Sequence, residues 1–162
     1  MNKNLLIIGA GQFGQVTKEI AESMNIFNKI DFLDDSSALA IGKINDYLQF
    51  TDNYKYAIVA IGDSTLRKEL ITKLEKHYVI KKIISPLAYV SKSANIRDGC
   101  IIEPMAIVNA NSVVGKSSIV CAGAIINHNA IIHDYCHINC GSIIRSNSEI
   151  SESTKVDYGE II

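Results

Sequence analysis

The chain has 162 residues, of which 48% are hydrophobic, and a formal net charge of -1. This length and apolar content suit one compact domain or two small ones, and the balanced charge gives no field that attracts nucleic acid or an anionic membrane. No apolar run approaches the roughly 20 residues that cross a bilayer, and we expect no export signal. We therefore expect a cytoplasmic protein with reduced cysteines, no nucleic acid partner and no membrane partner.

The first 35 residues predict a strand, a turn and a helix. NLLII indicates a short buried strand, GAGQFG a turn, and QVTKEIAESM a helix with an apolar face formed by Val16, Ile20, Ala21 and Met24. A second strand is predicted at about 29–33, and it ends in Asp34 and Asp35. The segment is typical of a β-turn-α unit.

The same alternation continues to about residue 85. A strand at 56–61 ends in Gly62 and Asp63, a helix follows at 65–77, and HYVIKKII predicts a further strand before Ser85 and Pro86. Strands that alternate with helices favour a parallel sheet covered by helices. We predict an α/β domain over residues 1–85, built on a small Rossmann-like parallel sheet.

A glycine motif follows the first predicted strand. Gly9, Gly11 and Gly14 match GxGxxG, a pattern that lets backbone N–H groups approach a phosphate at a helix N-terminus. The 85 residues hold half of a dinucleotide-binding sheet, which favours a mononucleotide or a nucleotide sugar as ligand. The alternative is that the glycines only permit close helix–strand packing. Ligands of such sheets gather at the carboxyl ends of the strands, although an acid there is equally a helix cap. The candidate substrate-binding residues are Gly9, Gly11, Gln12, Asp34, Asp35, Gly62 and Asp63.

From residue 88 the sequence repeats every six residues. The third place of each six is Val or Ile without exception up to Ile162, and the first place is a small residue in nearly all of them. Neither a helical nor a strand period explains this pattern, whereas a β-solenoid with three short strands per coil does. Residues 18 apart then stack, with the aliphatic side chains inside. We predict an all-β parallel β-helix over residues 86–162.

Three histidines lie in IINHNAIIHDYCHI, at positions 128, 133 and 137. The register points Ile126, Ile132 and Ile138 inward, so the histidines occupy separate places on the coil surface. HNAIIHDYC resembles the HxAxxHxxC segment of γ-class carbonic anhydrases, which leaves a zinc lyase open as an alternative. That family takes a further histidine from about two coils upstream, where this chain has Lys92.

The ordered motifs resemble one family over essentially the whole chain. GAGQFGQV, FLDD, AIGDSTLRKEL and ISPLAYVSKSANI, followed by the hexapeptide repeats, are similar to the sialic acid O-acetyltransferase and UDP-4-amino-sugar N-acetyltransferase family. This family belongs to the left-handed hexapeptide-repeat acyltransferases. The resemblance implies a left-handed β-helix, acetyl-CoA as co-substrate without a metal, a nucleotide-sugar substrate and a homotrimer.

The resemblance also implies roles for individual residues. His128 corresponds to the general base, and the adjacent Asn129 can orient its imidazole by hydrogen bonding. His137, Gly141 and Ser146 are the candidates for the acetyl-CoA site, where the Ser146 N–H, one coil above His128, would bind the thioester carbonyl. O-Acetylation of sialic acid stays open, as does a non-catalytic sugar-nucleotide-binding trimer, since asparagines flank His128 where relatives usually have acids.

Overall fold

A five-stranded parallel sheet forms the N-terminal unit, which ends at Lys81 in a computed structural model that describes residues 2–162. The strand order is β3-β2-β1-β4-β5, so the chain leaves β1 first toward one edge of the sheet and later toward the other. The carboxyl ends of β1, β2 and β4 therefore meet where the direction reverses. The elements are β1 (Leu5–Ile8), α1 (Gln12–Ser23), β2 (Ile30–Leu33), β3 (Ala40–Gly42), a 3-10 helix (Ile44–Phe50), β4 (Tyr56–Val59), α2 (Ser64–Leu74) and β5 (Val79–Ile80).

Apolar strands explain the stability of this unit. All four residues of β1 are fully buried, as expected for a central parallel strand. In α1 the buried face includes Thr17 and Ile20, whereas Val16, which we placed on the apolar face, is 39% exposed. Thr17 tolerates burial because its hydroxyl donates to the carbonyl of Phe13.

The second unit, Lys82–Ile162, is a parallel β-helix of three sheets. Each strand pairs in parallel with the strand 18 residues later, as Ile107 with Ile125 and Val113 with Ile131 show. The first sheet contains β6 (Ile83–Ile84), β9 (Ile101–Ile102), β12 (Ile119–Val120), β15 (His137–Ile138) and β18 (Lys155–Val156). The second contains β7 (Tyr89–Val90), β10 (Ile107–Val108), β13 (Ile125–Ile126) and β16 (Ile143–Ile144), and the third β8 (Asn95–Ile96), β11 (Val113–Val114), β14 (Ile131–Ile132) and β17 (Glu149–Ile150).

The repeat explains the interior of the solenoid. Third-place residues such as Val108, Ile126 and Ile144 are fully buried and pack in one cluster. First-place residues such as Ala124 and Cys136 lie in the same cluster, where a larger side chain would crowd the corner. The fold class predicted from the sequence is confirmed.

Each corner of the coil turns through a residue with a left-handed backbone. From Gly99 to Gly159, the sixth place of every six has a φ between 53° and 76°. Glycine adopts this region freely, and asparagine adopts it more easily than most residues. The turn therefore favours the asparagines and glycines that recur at the sixth place, although Met105, Ser117, Tyr135 and Ser153 adopt the same backbone conformation.

The solenoid begins earlier than we predicted. Ile83 pairs with Ile101, so the second half of HYVIKKII belongs to the β-helix and only Val79–Ile80 joins the N-terminal sheet. The units divide after Lys81, a few residues before the predicted boundary at residue 85. KIISPL is one more hexapeptide repeat, with Ile84 at the third position. It was not recognised because its first residue is Lys82 and not a small residue. No helix within residues 2–162 has the length and apolarity needed to span a membrane.

Candidate functional site

The three glycines after β1 have different surroundings. A Cβ atom on Gly9 would lie 2.9 Å from the carbonyl oxygen of Ala60, and one on Gly14 would lie 2.0 Å from the carbonyl oxygen of Gly9. These two glycines are needed for close packing of the loop on β4 and of α1 on the loop. At Gly11, the N-cap of α1, a Cβ would meet nothing within 4 Å. Protein packing thus accounts for Gly9 and Gly14, and Gly11 and the exposed Gln12 face open space.

Asp34 joins the end of β2 to the glycine loop. Its Oδ2 accepts from the N–H of Ala10 at 2.8 Å, and its Oδ1 accepts from the N–H groups of Ser36 and Ser37 at 2.9 Å each. These bonds, led by that from Ala10, lower the pKa of Asp34 from 3.8 to about 2. Asp34 is therefore a charged clamp that positions the loop.

The remaining predicted acids also bind backbone amides. Asp35 Oδ1 accepts from the N–H of Ile44 at the start of the 3-10 helix. Asp63 is the N-cap of α2 and accepts from the N–H of Leu66 at 2.7 Å. Their geometry favours the helix-cap interpretation over direct contact with a ligand.

A buried arginine, which the sequence did not single out, supports the end of β4. Arg67 has no exposed surface, and its Nη1 donates to the carbonyls of Ile61 and Gly62 at 2.8 and 2.9 Å. The guanidinium fixes the turn that contains the predicted site residue Gly62 and that faces Gly9. Its position four residues into an amphipathic helix gave no signal of this role.

A shallow cavity of about 230 Å³ opens at the carboxyl ends of β2 and β3. Asp34, Ser37, Gly42, Lys43 and Asp46 contribute to its lining. Lys43 supplies a cationic side chain, whose Nζ donates to the carbonyl of Asp35. The cavity combines a cation with polar groups beside the glycine loop, a composition that suits the polar part of a nucleotide.

In the solenoid, His128 lies exposed at the corner after β13. Its Nε2 is 2.9 Å from Ser146 Oγ, and its Nδ1 is 3.1 Å from Asn129 Nδ2. The pairing of Ile126 with Ile144 places Ser146 one coil above His128, as the sequence predicts. Both ring nitrogens are thus held, which fixes the imidazole on the surface. The side-chain bond from Ser146 was not anticipated.

Ser146 follows β16, and its N–H takes no part in the hydrogen bonds between stacked strands. At two other corners the N–H of the fifth residue is accepted by a carboxylate: Lys116 N–H by Asp134 at 2.7 Å and Ala122 N–H by Glu103 at 2.8 Å. Within residues 2–162 no acceptor lies within hydrogen-bonding distance of the Ser146 N–H. This position can therefore receive an oxygen of a ligand.

The other predicted residues lie elsewhere on the coil. His133 Nε2 is 2.5 Å from Glu149 Oε1 on the surface, and His137 Nε2 is 3.3 Å from Cys121 Sγ. Gly141 occupies a sixth place with φ 69°, so the turn accounts for this glycine. His128 and His133 do not combine with a further His, Cys, Asp or Glu side chain into a ligand group within the described part of one chain.

Comparison with known proteins identifies both units. Residues 4–74 match the model of the PglD N-terminal domain family. The acetyltransferase domain of PglB from Neisseria gonorrhoeae, solved in complex with acetyl coenzyme A, superposes with a TM-score of 0.95 and 27% identity; the match covers 99% of this chain and 82% of that one. Both units of the chain are therefore similar to those of a known acetyltransferase domain.

Two further acyltransferase structures have the same fold. Perosamine N-acetyltransferase from Caulobacter crescentus, as a histidine-to-asparagine variant with CoA and GDP-perosamine, has a TM-score of 0.86 and 22% identity, covering 98% of this chain and 88% of that one. PerB from the same organism, in complex with CoA and GDP-perosamine, has a TM-score of 0.79 and 21% identity over 98% and 90%. No curated protein matches the chain by sequence. The three stacked parallel sheets of the second unit are consistent with the left-handed β-helix that the family resemblance implies.

Proposed function

We propose that the chain is an acetyltransferase that moves the acetyl group of acetyl-CoA to the amine of a nucleotide-linked amino sugar, with His128 as general base. The observation that carries the proposal is the match, over 99% of the chain, to an acetyltransferase domain solved with acetyl coenzyme A. The PglD-type N-terminal domain and the cavity beside the glycine loop support a nucleotide sugar as acceptor.

The reaction needs a base because the sugar amine loses a proton as it attacks the thioester carbonyl. Neutral imidazole is suited to this task near neutral pH. In the contacts described above, Nδ1 accepts from the amide of Asn129, and Nε2–H donates to Ser146 Oγ. If the Asn129 amide rotates by half a turn, its oxygen accepts from Nδ1–H, and Nε2 becomes the unprotonated atom. We propose this second tautomer as the active one.

The tetrahedral intermediate needs a hydrogen-bond donor for its oxyanion. The Ser146 N–H is available and lies one coil above the base, which supports its assignment to this role. When the intermediate collapses, the carbon–sulfur bond breaks and the imidazolium returns its proton to the CoA thiolate. His128 thus acts first as base and then as acid.

Assembly as a homotrimer is part of the proposal. In the solenoid, Leu87 and Met105 stack at one corner, and their side chains are 70% and 69% exposed. Large exposed apolar side chains on a rigid coil favour contact with a further copy of the chain. Light scattering coupled to gel filtration should give three times the mass of one chain. The cytoplasmic location stays a prediction.

The decisive experiment is a thiol-release assay with acetyl-CoA and a panel of UDP- and GDP-linked amino sugars, with sialic acid as the O-acetylation control. We expect His128→Asn to lower kcat by about 10²- to 10⁴-fold with little change in KM for acetyl-CoA. His133→Asn, in the same stretch, should retain activity. Turnover that survives in His128→Asn contradicts the assignment of the base, and nucleotide-sugar binding without turnover indicates the non-catalytic trimer.

A further inference from the structure

A second group of reactive side chains lies on the solenoid, outside the His128 site. Oxygen and sulfur atoms of Glu103, Cys121 and Cys140 lie within 4.8 Å of one another. Glu103 and Cys121 are 8% and 5% exposed, and Cys140 is half-buried. The pairing of Ile101 with Ile119 places Cys121 one coil above Glu103, so the β-helix itself brings these two side chains together.

His137 adds a nitrogen to this group. Its Nε2 lies 3.3 Å from Cys121 Sγ, and its strand, β15, stacks on β12 next to Cys121. One carboxylate and two thiols thus converge at a corner of a rigid coil, and one imidazole contacts Cys121. We call Glu103, Cys121, His137 and Cys140 the thiol cluster.

We propose that the thiol cluster is a binding site for a zinc-like transition-metal ion. Thiolate, imidazole and carboxylate are the ligands that zinc takes in proteins, usually four in a tetrahedron. Metal–ligand bonds of about 2.0 to 2.3 Å place neighbouring donor atoms of a tetrahedron roughly 3.3 to 3.8 Å apart. The contact of 3.3 Å between His137 Nε2 and Cys121 Sγ is of this size, and the donor atoms of Glu103, Cys121 and Cys140 lie within 4.8 Å of one another, so side-chain movements would complete the site.

Packing alone does not explain these residues. The other two buried cysteines, Cys100 and Cys136, occupy first places, where alanine is the common alternative. Glu103 and Cys121 occupy fourth places, and there a carboxylate is buried beside a thiol. A divalent cation would replace the two thiol protons, which pass to solvent, and would neutralise the charge that remains.

The thiol cluster does not contain His128, although it shares His137 with the proposed acetyl-CoA site. It departs from the expectation of a metal-free protein drawn from the family resemblance. Its tests therefore measure metal binding without acetyl-CoA or sugar. Failure of one proposal leaves the other intact.

Cobalt titration of the reduced, metal-stripped full chain is the direct test. We expect one ion per chain, a sulfur-to-cobalt charge-transfer band, the visible spectrum of tetrahedral cobalt, and displacement by zinc. Cys121→Ser and Cys140→Ser should each halve the charge-transfer band and weaken zinc binding by at least about tenfold. Glu103→Gln should keep both thiolate contributions and still weaken binding.

Cys136→Ala is the matched control, because it removes a buried cysteine that lies outside the thiol cluster. Its cobalt spectrum should equal that of the parent protein, and circular dichroism of each variant checks that the β-helix is retained. Reduced protein without a charge-transfer band overturns the proposal. So does an unchanged band in Cys140→Ser, or a Cys121–Cys140 disulfide in a protein that takes up no ion after reduction.

Discussion

Replacing Asp34 with asparagine should destabilise the N-terminal unit at neutral pH. The carboxylate accepts three backbone N–H groups, including that of Ala10 in the glycine loop. Asparagine keeps the shape but removes the charge, and whichever way its amide turns, at least one N–H group of the loop or the turn faces another donor. The expected loss comes from the depressed pKa of Asp34.

The magnitude follows from linkage between proton binding and folding. A tenfold change in acidity corresponds to about 1.4 kcal/mol, so a pKa lowered from 3.8 to about 2 corresponds to about 2.5 kcal/mol before screening. Asp34 is only half-buried, and solvent screening reduces the expected loss to about 1 to 2 kcal/mol. Because the folded-state pKa is the lower one, this stabilisation is complete above about pH 4 and is lost as the pH falls toward 2.

Urea unfolding followed by helical circular dichroism measures the effect. Both α-helices within residues 2–162 belong to the N-terminal unit, so this signal reports on it. The difference in the free energy of unfolding between the parent protein and Asp34→Asn should shrink as the pH is lowered from 5 to 3. At neutral pH, the amide hydrogen of Ala10 should exchange with solvent faster in the variant. Asp52→Asn removes the same charge at an exposed turn and should cost little. A difference in stability that does not change with pH, or an equal loss of stability in Asp52→Asn, would refute the role assigned to Asp34.

Two further pairs of variants test the loop and the coil. Gly14→Ala should destabilise the N-terminal unit by about 1 to 3 kcal/mol in urea unfolding, because its Cβ would meet the carbonyl of Gly9 at 2.0 Å. Gly11→Ala should leave stability nearly unchanged yet weaken nucleotide-sugar binding in calorimetry; unchanged affinity would speak against ligand approach at Gly11. Ile126→Ala should cost about 2 to 5 kcal/mol because it opens a cavity in the fully buried interior. Ile131→Ala, at a 39% exposed position, should cost far less, and similar losses at both sites would contradict the assigned register.

The solenoid was predictable because its constraint is local and repeated. Every hexapeptide repeat supplies an inward aliphatic residue and a turn residue, and residues 18 apart stack. The position of Ser146 one coil above His128 therefore follows from the sequence numbers alone. The segment from Ala40 to Phe50 was missed, since a three-residue strand and a 3-10 helix leave no clear period. The start of the solenoid was predicted too late because Lys82 occupies the first position of its repeat, where most other hexapeptides have a small residue.

The candidate sites depend on side-chain directions that the sequence does not encode. Asp34 follows a strand, as a ligand-binding acid would, but the turn at Ser36 and Ser37 directs its oxygens to backbone amides. The thiol cluster had a readable signal in the 18-residue step from Glu103 to Cys121. The convergence of Cys140 and His137 on that pair depends on the shape of the corner, which spacing alone does not give.

The 18-residue coil also limits how this protein can change its length. Deleting or inserting one hexapeptide repeat between His128 and Ser146 would keep every inward aliphatic side chain in place, and the β-helix would tolerate the change. The residue above His128 would then be Cys140 after an insertion that precedes Cys140, or Glu152 after a deletion, because the later chain moves by one strand of the three in each coil. A whole coil inserted there would likewise replace Ser146 by an inserted residue. The fold therefore tolerates length changes in steps of six, whereas the pairing of His128 with Ser146 tolerates none between them.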